Sequence, residues 1–567
     1  PVDQALFAND STAEIQTSSY EVEFQTNGFQ VKNTNPRFNT NGATYIYMAF
    51  ADNIDGSGCD SLLDSPEQRD EQSDDGSGGS IVSNFATLNS NSNTGLTLSN
   101  GNLEWNGGTS QRYARSTIFA DSGKWYCEFT MKSTNHIPGI IGSEHPDGAG
   151  TLGEGSSSRF QNNGTIGYSG GDPVTGGLTW AVGDIVQLYM DMDNKAIYWG
   201  VNGALKVGKD GNTGVPTSGA SKTGAVIYGG MPGSTDKISS GSWGPGASTY
   251  GDTSVNSSIN FGARPFVYSA PSGYKTWCTA NLPTPTVADG SQYFDTKLYD
   301  GTSQNQNITG LNFSPDLTWI KARNHNTWYV VNDTVRGAGK NISSNDTYQE
   351  QTKTDNLTSF NSDGFSLGVD SNADGVNING KTYASWNWDA GSSTVTNTDG
   401  TITSSVRANP TAGISVVKYT GIQGGNRSYG HGLNATPDFI FSKKLTNTGP
   451  WVIFHKSLAL DEAVFLNSHN AASGDGTIWP SAPTSSVVNV GGSNYNNYNE
   501  DYIAYCFTTI DGFSSFGKYT GNGSADGPNV FTGMRPAFIL TKGINDGEDW
   551  YIRDTTRSPI NVVDESL

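Results

Sequence analysis

Asp370-Ser371-Asn372-Ala373-Asp374-Gly375 is the run in this chain that comes nearest to a metal-binding pattern. Oxygen-bearing side chains at alternate positions converge on one centre, and the glycine permits a sharp turn, as at the start of a calcium loop. The position that would close such a loop with a bidentate glutamate holds Lys381 instead. An Asx-stabilised turn is therefore the preferred expectation for Asp370, Asn372 and Asp374, with calcium as the alternative and no other cofactor expected. Asp191 and Asp193 invite a metal or a carboxylate dyad, but Asp193 opens the polar turn Asp193-Asn194-Lys195 and Asp191 ends the strand before it, so they read better as part of a strand and its turn. His136, His145, His325, His431, His455 and His469 show neither HxH nor HExxH spacing, which argues against zinc. Two carboxylates at glycosidase distance are not excluded by a chain with 54 acidic residues. The expectation is a protein that is not an enzyme. Binding falls to aromatic residues at loops: Trp180, and Tyr495 and Tyr498 within Gly492–Glu500, are candidates to stack on sugars, against the plainer reading of a solvated, turn-rich loop.

The elements that must hold such residues are strands. The chain has 567 residues, enough for roughly three to five domains. Seventy-one glycines alternate with β-branched and aromatic residues, and charged residues are only 15%. That composition favours many short antiparallel strands, and an aromatic content of 11% argues against disorder. No amphipathic helix of three turns is evident. The longest apolar runs, such as Tyr45–Phe50, suit a buried strand and fall short of a membrane span. A net charge of −21 repels phosphate, so nucleic acid is not an expected partner. Cys59, Cys127, Cys278 and Cys506 lie far apart and are expected as buried thiols, not a disulfide framework.

A motif recurs three times. Ser314-Pro315-Asp316-Leu317-Thr318-Trp319-Ile320-Lys321 leads to Trp328-Tyr329-Val330-Val331. Thr436-Pro437-Asp438-Phe439-Ile440-Phe441-Ser442-Lys443 leads to Trp451-Val452-Ile453-Phe454. Arg535-Pro536-Ala537-Phe538-Ile539-Leu540-Thr541-Lys542 leads to Trp550-Tyr551-Ile552-Arg553. Each predicts a strand, a polar loop and a second strand. The first two units end in Tyr383-Ala384-Ser385-Trp386-Asn387-Trp388 and Tyr502-Ile503-Ala504-Tyr505-Cys506-Phe507. The third has no such ending, and its missing half stands at the other end of the chain, in Tyr45-Ile46-Tyr47-Met48-Ala49-Phe50. Residues 514–567 and 1–52 are thus expected to be complementary halves of one β domain. The last six residues, from Val562, also echo the first six, from Pro1. The chain therefore reads as one period of a longer tandem array, with strand exchange between subunits as the alternative. Either way, bare edges would drive copies together head-to-tail.

Between the halves lies a different pattern. Gly123-Lys124-Trp125-Tyr126-Cys127-Glu128-Phe129 alternates as a strand. Gly183–Asp193 and Ala196–Gly203 form a double strand with Asp193-Asn194-Lys195 as its polar turn, Asn202-Gly203 is a favoured hairpin turn after it, and Asn260-Phe261-Gly262 follows. Trp125, Leu188 and Trp199 fall on positions that would face one core. In motif order this stretch resembles the SPRY domain, a concanavalin-like sandwich. The resemblance implies a binding module whose contacts come from loops, here His136–Gly155, Gly170–Leu178 and Gly208–Ser221. The wider combination, with its Pro-started strands and GKTY…W endings, resembles fibre-type structural proteins of marine tailed bacteriophages.

The fold expected is all-β: multi-domain antiparallel β-sandwiches, with one SPRY-like jelly roll and about three related β repeat domains, one of them split between the termini. The domains expected are 1–52 (half a repeat), 53–83 (an acidic Gly/Ser linker), 84–283 (SPRY-like), 284–404 and 405–513 (repeats), and 514–567 (the other half, completed by 1–52 of the next unit). The function expected is a non-enzymatic structural subunit of an extracellular or virion fibre. Its partners would be copies of itself head-to-tail and host surface glycans, with no membrane insertion. A bacterial carbohydrate-binding adhesin and a glycan-degrading tailspike are the alternatives.

Overall fold

The computed structural model describes residues 4–16, 22–25, 28–32, 34–51, 76, 78, 85–93, 95–107, 112–143, 145, 152, 157–168, 174–175, 177–228, 238, 241–282, 286–370, 375–474, 476–492, 495–521, 523 and 528–557. Almost every ordered element is an antiparallel strand. The expected linker falls almost wholly outside these residues, as do Cys59 and the echo of residues 1–6 at 562–567. Among the described residues two compact units form. One contains 4–51 and 286–557, and the other lies within 76–282.

The second unit is a two-sheet sandwich. One sheet runs in the order Ala204–Leu205, Ala196–Val201, Ile185–Asp191, Lys124–Thr130, Asp252–Asn260, Glu104–Gly107, Leu96–Ser99. The other runs Ile166–Tyr168, Ser157–Phe160, His136–Gly142, Trp243–Thr249, Arg112–Ser116, Leu88–Asn93. Alternation along Lys124–Thr130 sends Trp125, Cys127 and Phe129 into one core with Leu188 and Trp199. Tyr126 faces the opposite side, against Tyr189, Tyr198 and Tyr274. The Glu128 carboxylate closes that side by accepting the Val267 and Tyr268 amides, both at 2.8 Å. Asn202 and Gly203 both have positive φ, at 51° and 83°, as a tight hairpin turn matching the strand twist requires. His136–Gly142, expected as the start of a loop, is a fully buried strand between two neighbours. Cys127 and Cys278 are buried free thiols in this unit, and Cys506 is one in the other.

The first unit contains one four-strand pattern three times. Repeat 1 orders Phe294–Asp300, Thr382–Trp388, Leu317–Ala322, Val330–Asp333. Repeat 2 orders Ile414–Thr420, Asp501–Phe507, Phe439–Lys444, Trp451–His455. Repeat 3 orders Ser514–Thr520, Thr44–Ala51, Pro536–Gly543, Trp550–Asp554. The register is the same each time: Leu317 lies opposite Trp388, Phe439 opposite Phe507, and Phe538 opposite Phe50. A stacked tyrosine pair recurs across the first two strands of each repeat. Ring centroids are 5.0 Å apart for Tyr299–Tyr383, 5.3 Å for Tyr419–Tyr502 and 5.1 Å for Tyr45–Tyr519. The third pair joins residues from opposite ends of the chain with the geometry of the other two.

Within the chain the two halves of repeat 3 complete each other. The partner of Ser514–Thr520 and Pro536–Gly543 is Thr44–Ala51 of the same chain, and Gln4–Phe7 adds to Trp550–Asp554. Within this chain those edges are paired with one another. The expected boundary at residue 404 also moves. Thr394–Asn397 pairs with Ser404–Asn409, which pairs with Ile414–Thr420, so the hairpin belongs to the sheet of repeat 2.

The three repeats share one apolar core. At its centre stand the equivalent residues Phe50, Trp388 and Phe507, each 1% exposed. Their centroids form a triangle of 5.9, 5.9 and 6.3 Å. Each such aromatic contact contributes about 0.5–1.5 kcal/mol beyond its buried area.

Candidate functional site

Three contacts of one kind link the repeats into a ring. The Glu14 amide donates to Arg323 O at 2.8 Å, the Glu350 amide to Leu445 O at 2.9 Å, and the Ala472 amide to Ile544 O at 2.9 Å. They run from repeat 3 to 1, from 1 to 2, and from 2 to 3. Just before each junction an asparagine holds the first residue of its repeat's last strand hairpin. Asn9 Oδ1 accepts the Trp550 amide, Asn345 Oδ1 that of Tyr329, and Asn467 Oδ1 that of Trp451, at 2.8–2.9 Å. These loops carry a sequence signal that the strand motif overshadowed: Asn9-Asp10-Ser11-Thr12-Ala13-Glu14 matches Asn345-Asp346-Thr347-Tyr348-Gln349-Glu350 at Asn, Asp and Glu.

The lysine ending each recurring motif is buried. Lys443 Nζ donates to Thr347 O across the first-to-second junction at 3.0 Å, and to Gly449 O. Lys542 Nζ donates to His469 O across the second-to-third junction at 2.9 Å, and to Glu548 O. Lys321 Nζ bonds Ala322 O and His325 O within its own loop. Burial favours the neutral amine. It lowers Lys443 to about 7, and Lys321 and Lys542 to about 8 each.

Two junctions add a buried ionic latch. Arg336 Nε meets Asp333 Oδ2 at 2.5 Å, Tyr505 of repeat 2 donates to the same oxygen at 2.7 Å, and Glu350 stands 3.4 Å from Arg336 Nη1. Arg557 Nε meets Asp554 Oδ2 at 2.5 Å, Trp386 Nε1 of repeat 1 donates to that oxygen at 3.0 Å, and Glu14 lies 2.9 Å from Arg557 Nη1. The third junction has His455 and Leu458 at these places. Burial, with nearby Lys456, lowers His455 to about 3, which keeps it neutral. These clusters are wedges between sheets, and they hold the ring together.

The expected site residues are scattered, and most serve the fold. Asp370 is 4% exposed and its Oδ2 accepts the Asn377 amide at 2.8 Å. Asn377 in turn bonds Gln304 O and Gly368 O, so Asp370 belongs to a loop-closing network. Asn372 and Asp374 lie outside the described residues. Among the described residues no group of three or more His, Cys, Asp or Glu is placed to hold a metal. Asp191 pairs with Asn194 and Lys124, and Asp193 accepts the Gly123 amide, as strand and turn. Trp180 corrects an expectation: it is 3% exposed, lies in the sandwich core and donates from Nε1 to Phe160 O, so neither ring face can meet a sugar. Tyr495 and Tyr498 are half-buried against the core of repeat 2, and Tyr495 sits edge-on to Phe465 at 5.7 Å. Both remain partly exposed in their loop.

A different aromatic pair includes an exposed ring. Trp328 and Tyr348 come from the loops after Leu317–Ala322 and Lys340–Asn341, with ring centroids 5.4 Å apart and planes inclined at 50°. Tyr348 is 50% exposed and Trp328 is half-buried. Trp328 stood in the recurring motif, where it read as the start of a strand. Tyr348 sits in a loop with no periodicity to mark it.

Fold and site together define an all-β protein with a closed, three-repeat unit whose sequence is interrupted by a sandwich. The chain belongs to the family described as Domain of unknown function (DUF7483), which matches residues 1–53 and 289–567. That match spans the interrupted unit and omits the sandwich. Among solved structures the chain is similar to the SPRY domain of human HERC1, at 12% identity and a TM-score of 0.24, over 32% of this chain and 99% of that one. The TRIM65 PSpry domain is similar at 10% identity and a TM-score of 0.22, over 31% and 92%. No curated protein matches in sequence. Among the described residues no helix is long and apolar enough to cross a membrane.

Proposed function

We propose that this chain is a non-enzymatic structural component of an extracellular or virion fibre. In this reading the three-repeat ring is the rigid scaffold and the inserted SPRY-like unit is displayed for adhesion. The observation that supports it best is the ring's construction. Three sheets share one aromatic hub, Gln4–Phe7 and Trp550–Asp554 pair in the same sheet, and the titratable groups found at the junctions are engaged in holding repeats together. A scaffold needs this rigidity, and loops on rigid scaffolds are where binding usually resides. Head-to-tail assembly enters the proposal as strand exchange. Residues 4–51 of one copy would make in the next copy the contacts they make here in their own, leaving the interface unchanged.

Immunogold labelling with antibody to the SPRY-like unit tests the location. Label along surface projections is the expected result, and label confined to the cell interior would sink the reading. Incubation with host polysaccharide tests the chemistry. Release of reducing ends by the purified chain would transfer it to the tailspike alternative. Sedimentation across a concentration series distinguishes a closed single chain from a ladder of exchanged copies.

A further inference from the structure

The three repeats act as controls for one another, and at one surface position they disagree. Tyr329, Trp451 and Trp550 are equivalent, because each receives the same asparagine bond. The residues before them are Trp328, Pro450 and Asp549. Three residues after each of those asparagines come Tyr348, Asn470 and Thr12. The backbone there is alike in all three: the Tyr348 amide bonds Asp346 Oδ1 at 3.0 Å, the Thr12 amide bonds Asp10 Oδ1 at 2.8 Å, and the Asn470 amide bonds Ser468 Oγ at 3.1 Å. The fold is therefore satisfied at this position by Pro with Asn, or by Asp with Thr. Only repeat 1 spends two aromatic rings there, and it leaves one of them 50% exposed.

We propose that Trp328 and Tyr348 form a stacking platform for a neutral glycan. This goes beyond the fibre reading, which assigned adhesion to the inserted unit, and it does not depend on that reading. Two inclined rings offer apolar faces of the size of a pyranose C–H face, and aromatic residues with a polar tip suit a surface that is apolar on one side and wet on the other. The surroundings supply hydrogen-bonding groups for hydroxyls. Asn326 and Gln349 are exposed beside the rings in sequence. Ala13 is tied to Asn326 Oδ1 at 3.0 Å on one flank, and Gly449 to Thr347 O at 2.8 Å on the other, which brings the exposed Asn447 and Thr448 alongside. The net charge of −21 disfavours sulfated or uronic chains and points to uncharged sugars.

Affinity electrophoresis of the full chain tests this, in native gels containing soluble β-glucan, xylan or galactomannan, with mobility normalised to a sugar-free gel. Retardation of the wild type in at least one gel is expected. Tyr348→Asn, which installs the residue of repeat 2, should weaken it about tenfold. Trp328→Asp with Tyr348→Asn, both residues already accommodated elsewhere in the ring, should abolish it while the melting temperature stays close to that of wild type. Wild-type retardation that survives both variants would overturn the platform and leave an adhesive function elsewhere on the chain. No retardation of the wild type in any gel would overturn the platform as a glycan site, while immunogold labelling would still decide the fibre reading.

Discussion

The junction between repeats 1 and 2 and the junction between repeats 2 and 3 do the same task with different chemistry. The first is latched by Asp333, Arg336 and Tyr505, fully desolvated and mutually bonded. The second has a neutral His455 and Leu458 in those places, backed by the apolar strand of Met48. Both sheets nevertheless approach with the same register and the same backbone bond. The ionic latch is thus one of two solutions to filling a wedge. What both require is that no charge be left alone there.

The largest effect expected tests what the junctions have in common. Phe50→Ala removes one corner of the aromatic triangle, and with it two of its three contacts, and should cost about 3–5 kcal/mol, read from urea unfolding. Deleting residues 1–51 should abolish the ring's cooperative transition altogether, because repeat 3 loses its central strand. Survival of that transition would show that the split repeat is dispensable.

The difference between the junctions can be broken next. Arg336→Leu leaves Asp333 buried and unpaired, at an expected cost of about 3–5 kcal/mol. Asp333→His combined with Arg336→Leu transplants the residues of the other junction. It should cost less than the single change, and a double variant as damaged as the single one would refute the equivalence of the two solutions.

Lysine sharpens the comparison through pH. Lys443 titrates near about 7 in the folded chain, against an ordinary 10.5. Between those values the unfolded chain holds more protons, so raising the pH favours the folded state. The burial penalty is complete below the folded value and relieved as the pH climbs to the unfolded one. From about pH 7 to about pH 9, wild type should gain stability relative to Lys443→Met by up to ~1.4 kcal/mol per pH unit. Parallel pH curves for the two proteins would show that the amine is not held in this state.

The smallest effect concerns Asp370. Asp370→Ala should cost about 1–3 kcal/mol, through loss of the acceptor for the Asn377 amide. Calcium, set against chelator, should leave the melting temperature of wild type unchanged. A rise with calcium would restore the metal reading of this loop.

Much of the ring was legible in the residues. Pro-started strands ending in Lys321, Lys443 and Lys542, and the aromatic strands ending in Trp388, Phe507 and Phe50, announced three copies of one sheet, because strand periodicity and register are local properties. The junctions were legible only as a short Asn-Asp and Glu match between two loops. Asn9, Asn345 and Asn467 sit in loops, where no periodic pattern marks a contact, whether its partner lies 16 positions away, as for Asn345 and Asn467, or 541, as for Asn9. Trp180 misled for a related reason: a tryptophan flanking a glycine-rich stretch looks available until the opposing sheet covers it. Tyr348 was missed because exposure, like burial, is decided by neighbours distant in sequence.

By itself the sequence determined that the chain is built from strands, that one sheet recurs, and that the piece missing at one end is present at the other. Hydrophobic alternation and repeated side chains carry that information along the backbone. Only the tertiary structure decided how the missing piece pairs within the chain, that three sheets close on a shared aromatic centre, and which rings are left facing water. Strand edges pair equally well with an edge from within or from another copy, so the choice between ring and polymer depends on which mate comes within reach, and no local pattern records that.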